Sequence, residues 1–233
     1  MSLPFAEMRH LVRLAVTPDV TRKPVESHVP GEPKLFLGVP GLFGKDSNLA
    51  DVRVGVLEQL PEGSEVVLYQ PSTKVNLALF DPRRFHIPGA GLTDWANIRR
   101  REVTRIASTM HQLADMHEKP IGVITHSLAG PLAAEAWTVL ENPEDVDALV
   151  AAGSPFRVPG IGFHERPDHG TLLTVTGSRD KLVFEWLATH PRQDDTKSVA
   201  VNHNGLITQE EGIQAIASAI IQSVPEKPQP VAA

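Results

Sequence analysis

The chain contains no cysteine, a single tyrosine and no apolar run that approaches membrane-spanning length. Without cysteine there is neither a disulfide framework nor a thiolate nucleophile, a composition that suits a reducing compartment. Positive charge is also scarce: 22 Lys and Arg stand against 28 Asp and Glu, a net charge of −6. Nucleic-acid partners draw on clustered Lys and Arg, so none is expected. The one basic cluster, Arg99-Arg100-Arg101, falls on a predicted helix and reads as a solvated face. The first ten residues mix acid and base where a secretory leader would be apolar. A cytoplasmic protein without integral membrane association is the expectation.

The rest of the composition is that of an ordinary globular chain, 41% apolar and 21% charged over 233 residues. One domain over 1–224 is expected, with the Pro-rich stretch 225–233 as a flexible tail. Short β-prone runs alternate with helical periodicity, the pattern of a parallel sheet flanked by helices. Strands are predicted over 11–16 (an edge), 34–39, 65–69, 121–124, 148–152 and 171–176, and just ahead of His203. Helices are predicted over 47–60, capped by Asp46 or Ser47, over 93–117, capped by Thr93, and from Ser127 to about 140. A last helix over 205–223 would bury Ile213, Ile216, Ala217, Ile220 and Ile221. The irregular stretch 73–92, with Phe80, Phe85, Ile87 and Leu92, reads equally as a substrate wall or lid and as a packed surface loop.

Ile121-Gly-Val-Ile-Thr-His-Ser127-Leu-Ala-Gly130 is the most informative segment. A strand that ends on a Ser and turns at once into a helix needs small residues two before and two after it. Thr125 and Ala129 hold those positions. A Ser hydroxyl is too weak an acid to attack an ester unaided, so it requires an imidazole base and a carboxylate to orient that base. Two further strands end in the missing groups. Asp180 follows the run broken at Gly177, and His203 follows 197–201. The Gly-rich turn Gly38-Val-Pro-Gly41-Leu42-Phe43-Gly44 precedes them all, and backbone N–H groups of Leu42 and Leu128 could hold an oxyanion. Phe43, Phe85 and Ile87 are the candidate substrate-lining residues.

The order Ser…Asp…His, with Thr125-His-Ser-Leu-Ala, Gly153-Ser-Pro155 and Gly177-Ser-Arg-Asp180-Lys-Leu-Val183, resembles the α/β-hydrolase superfamily, and within it serine lipases and esterases. The likeness spans about 34–223. Two departures stand in its motifs: Thr125 replaces the elbow Gly, and Pro40 stands where many relatives have His. The resemblance implies an α/β fold with a mostly parallel central sheet and helices on both faces. Its members need no cofactor and act on small-molecule or lipid esters. The short connection 156–170 leaves no room for a large cap domain.

Rival acids are Asp145 and Asp147, ahead of their strand, Asp168 in a polar loop, and Asp194 and Asp195 in a turn. His126 is expected to point away from the nucleophile as a packing or hydrogen-bonding residue, and His86, His111, His117 and His190 to lie on surfaces or helix faces. The string His164-Glu-Arg-Pro-Asp-His169 hints at zinc, but its spacing matches no standard site, and no metal is expected. Carboxylic-ester hydrolysis through an acyl-enzyme is the leading functional expectation. A thioesterase or amidase with the same triad, or a hydrolase-shaped binding protein without turnover, are the alternatives. Oligomeric state is left open.

Overall fold

The computed structural model describes residues 16–17, 29, 31–41, 49–70, 90–163 and 165–223, with the backbone alone for 16–17 and 90–94. Among the described residues, seven strands form one sheet: β1 (Val16–Thr17), β2 (Leu35–Val39), β3 (Glu65–Tyr69), β4 (Ile121–His126), β5 (Val146–Ala152), β6 (Thr171–Gly177) and β7 (Asp195–Val199). Their spatial order is β1-β3-β2-β4-β5-β6-β7, with β1 antiparallel to β3 and all other neighbours parallel. β4 is central and buried along its whole length, which is why it reads as a continuous apolar run and not as an alternation.

Helices cover both faces, and a short α4 (Glu185–Ala188) follows β6. On one, α2 (Ala90–His117) and α3 (Ala129–Thr138) pack on β2 to β6 around Met110, Leu132 and Trp137. Trp137 is fully buried, and its indole N–H donates to Pro143 O at 3.0 Å. On the other face, α1 (Ala50–Leu57), α5 (Gly205–Thr208) and α6 (Glu210–Ser223) enclose Phe36, Val56, Ile124, Val150 and Ile216. Each large side chain so buried contributes about 1.5–3 kcal/mol. The buried Tyr69 hydroxyl bonds Glu102 at 2.6 Å and ties α2 to β3. Burial, then Glu102, pushes the Tyr69 phenol well above its ordinary pKa. The residues 153–170 between β5 and β6 hold no helix or strand where described, so no large cap stands there.

The expected strands and helices are present where described, with shifted ends. The expected strand over 11–16 is represented by Val16–Thr17, and the expected caps Asp46 and Ser47 lie outside the described residues. α2 begins at Ala90, so Thr93 is inside it and not its cap: no proline intervenes after Pro88 to stop the helix. β5 begins at Val146 and includes Asp147, half-buried beside Lys34 at 3.8 Å, and burial raises this carboxyl. Asp195 likewise lies in β7, not in a turn. The last helix is two helices, broken at Gln209, whose backbone is extended. Ile221 is exposed because the buried face of α6 runs through Gly212, Ile216, Ala219 and Ile220. His190, expected on a surface, is buried edge-on against Phe156 at 4.8 Å, with its Nδ1 accepting from Arg192 N.

Candidate active site

β2 leads to β3 on one side of the sheet, and the chain then crosses to β4 and continues outward on the other side. The crevice at the carboxyl ends of β2 and β4 is therefore the topological switch point, where ligands bind in such sheets. Ser127 stands at the end of β4 with φ of 57°, a left-handed conformation that costs a non-Gly residue about 1–2 kcal/mol. The surroundings hold it there. Its N–H donates to Ala152 O at 2.8 Å, and its carbonyl accepts from Gly130 N at 3.1 Å as α3 begins. Thr125 and Ala129, two before and two after it, are fully buried.

The neighbouring glycines are fixed by close approach. A Cβ on Gly41, at the carboxyl end of β2, would lie 3.0 Å from Ser127 Cβ. One on Gly130 would sit 2.2 Å from Ser154 Oγ, so only glycine lets α3 lie against the β5 loop. Leu128 is the N-cap of α3, and its N–H has no acceptor among the described residues. Such first-turn donors are the raw material of an oxyanion site.

Asp180 and His203 come together. His203 Nδ1 is 2.7 Å from Asp180 Oδ2, and both residues are buried. The other carboxylate oxygen, Oδ1, accepts from Leu182 N at 2.8 Å and Val183 N at 2.9 Å. Burial alone would raise this carboxyl, but the bonds from His203, Val183 and Leu182 outweigh it and hold it below the ordinary carboxylate range. Gly177 lets the two loops meet, since a Cβ there would strike Val201 O at 2.6 Å. Gly153, with φ of 55°, lies against the imidazole: its Cβ would come within 3.2 Å of His203 Cε1 and Nδ1. Ala152 and Gly153 thus bridge the two halves of the site, one bonded to Ser127 and the other touching His203. The Ser127 hydroxyl itself has no hydrogen-bond partner among the described residues, and catalytic Ser–His bonds are commonly long until substrate binds.

His126 is the packing and hydrogen-bonding residue expected, and its partner is His203: the ring centroids lie 4.6 Å apart, and His126 Nε2 donates to His203 O at 3.1 Å. Burial, then the neighbouring His203, lowers its pKa to about 4, so the ring is neutral at pH 7. The rivals are engaged elsewhere. Asp194 pairs with Arg166 at 2.6 Å, and Asp145 with His111 at 2.6 Å. His169 bonds Pro143 O, while His164 lies outside the described residues. No group of three or more metal-ligating side chains occurs among the described residues. The expected oxyanion donor Leu42, the lining residues Phe43, Phe85 and Ile87, and most of the 73–92 stretch also lie outside them. A cleft of about 460 Å³ opens beside His203, lined by Arg179, Lys181, Leu182, Asn202 and Gln209 among others. Sequence reasoning did not find it, nor the two N–H donors to Asp180, although Val183 closes the quoted Gly-x-x-Asp-x-x-Val string.

No family model and no curated protein sequence matches the chain. Solved structures do match in fold. A protein from Thermus thermophilus superposes with a TM-score of 0.58 at 14% identity, covering 85% of this chain and 92% of that one. A proposed non-heme bromoperoxidase from Mycobacterium tuberculosis gives 0.55 at 10% identity, covering 83% and 92%. An α/β-hydrolase enzyme from the metagenome of lagoon sediments at Mar Chica, Morocco, gives 0.51 at 16% identity, covering 82% and 92%. At these identities the likeness concerns the fold.

Proposed function

Since the chain has the α/β-hydrolase fold, we propose that it is a serine hydrolase that cleaves carboxylic esters through an acyl-enzyme. The observation that carries this reading is the buried 2.7 Å bond between His203 Nδ1 and Asp180, at the same sheet edge as a Ser held at φ of 57°. Asp180 fixes the tautomer that leaves His203 Nε2 to act as base. Ser127 Oγ attacks the ester carbonyl carbon as its proton passes to His203. The Leu128 N–H, with Leu42 as its proposed partner, receives the charge that develops on the carbonyl oxygen. When the tetrahedral intermediate collapses, the C–O bond to the alcohol breaks and His203 returns the proton to the departing alkoxide. Water then repeats the sequence on the acyl-enzyme. No step needs a cofactor.

Ser127→Ala is expected to lower kcat on an aryl ester by about 10⁴-fold or more without unfolding the protein. The wild-type chain should also be labelled by a fluorophosphonate and the variant should not. Undiminished hydrolysis by the variant would end this reading.

A further inference from the structure

The loop that carries Asp180 continues into an exposed apolar surface. Seven large apolar side chains are exposed among the described residues, and Val29, Met116, Val139 and Ile221 are isolated in sequence. The other three, Leu182, Phe184 and Trp186, fall within five positions and are 73%, 52% and 65% exposed. Single exposed apolar residues are ordinary, whereas a group that includes two aromatics calls for an occupant.

The segment is firmly held. Asp180 Oδ1 accepts from Leu182 N and Val183 N, and Val183 is buried between its exposed neighbours. Leu187 N and Ala188 N donate to Phe184 O, Arg157 N donates to Leu187 O, and Arg157 Nε donates to Thr189 O. A fixed backbone therefore presents the three side chains outward.

Two exposed cations flank this segment in a chain of net charge −6. Arg179 and Lys181 are exposed on the same loop and form no ion pair among the described residues. The acid between the two aromatics, Glu185, is exposed and accepts from Thr176 Oγ1 at 3.2 Å. Arg179, Lys181 and Leu182 also line the cleft that reaches His203.

We propose that this surface docks the protein on an anionic lipid–water interface. Phe184 and Trp186 enter the headgroup boundary, the depth at which amphipathic aromatic rings settle, and Arg179 and Lys181 lie over lipid phosphates. A second copy is a poorer occupant, because an isologous contact through this patch would bring the cations of both copies together. Docked in this way, the cleft beside His203 opens toward the lipid, and the substrates are esters presented at that surface. This substrate assignment rests on the serine-hydrolase reading, while the docking does not.

The test is co-sedimentation of the full chain with vesicles of phosphatidylglycerol and phosphatidylcholine in equal parts, with pure phosphatidylcholine as the control. Binding to the anionic vesicles, a blue-shifted tryptophan emission and loss of binding in high salt are expected. The double variant Phe184→Ser/Trp186→Ser should bind about tenfold more weakly or worse, because two buried aromatic side chains are lost. Arg179→Gln/Lys181→Gln should weaken binding by roughly fivefold per charge. An unchanged circular dichroism spectrum and urea unfolding midpoint of the aromatic double variant control for its fold. Ser127→Ala should bind as the wild type does, so failure of the hydrolase reading leaves this test standing. Absence of binding to anionic vesicles, or binding that survives both double variants, overturns the proposal. So does an oligomer that Phe184→Ser/Trp186→Ser converts to monomer, which would assign the surface to self-association.

Discussion

Asp180 does two jobs with two oxygens: one orients His203, and the other is bound by the N–H groups of its own loop. Asn at 180 can keep the second set of contacts but cannot hold the tautomer that leaves Nε2 unprotonated. Asp180→Asn is therefore expected to reduce kcat on an aryl ester by about 10³ to 10⁴-fold with KM little changed. Steady-state kinetics beside a circular dichroism spectrum check this, and a fall in KM alone would contradict it. The packing role of His126 was legible in the sequence, but its partner was not. Alternation along a strand places it opposite its neighbours, but Ser127 leaves the strand through a left-handed turn, and His203 is brought against the His126 ring from 77 positions away.

The first turn of α3 is fixed by what it rests on. Gly130 ends the segment that begins at Ile121, and its role emerges only from the 2.2 Å that would separate a Cβ there from Ser154 Oγ. Gly130→Ala should shift α3 away from the β5 loop. Overpacking of this kind costs about 1–3 kcal/mol in urea unfolding, and kcat should fall with it because Ser127 and Leu128 move. Equal stability of the variant and wild type would show that the contact relaxes freely. The split between α5 and α6 has a similar origin. The apolar periodicity from 205 to 223 is continuous, yet the two helices fold back closely enough that a Cβ on Gly212 would lie 2.4 Å from Gly205 O. No periodicity in a single helix announces that contact.

Acid should destabilise the protein through both buried groups of the site. The folded pKa of His126 lies at about 4, against about 6.5 when unfolded. The unfolded chain therefore binds the extra proton first, and stability present above pH 6.5 is lost as pH falls toward 4. Asp180, also depressed, adds its loss at lower pH, as its carboxylate protonates. Between pH 7 and 4.5 the His126 contribution is about 2 kcal/mol. His126→Gln should lose less stability over that interval by this amount in urea titrations. Parallel pH dependences for the two proteins would refute the assignment.

The sequence alone determined the strand-turn-helix at Ser127, the acid and the His at later strand ends, and the alternation that makes a parallel sheet. These depend on steric and hydrophobic preferences that act within a few residues, and those can be read along the chain. Only the tertiary structure decided that His126 grips the His203 backbone, that Gly177 and Gly153 make room for the Asp–His pair, and that Leu182, Phe184 and Trp186 are left outside the core. An apolar residue carries the same hydropathy whether or not something covers it. What covers it depends on the packing of elements distant in sequence.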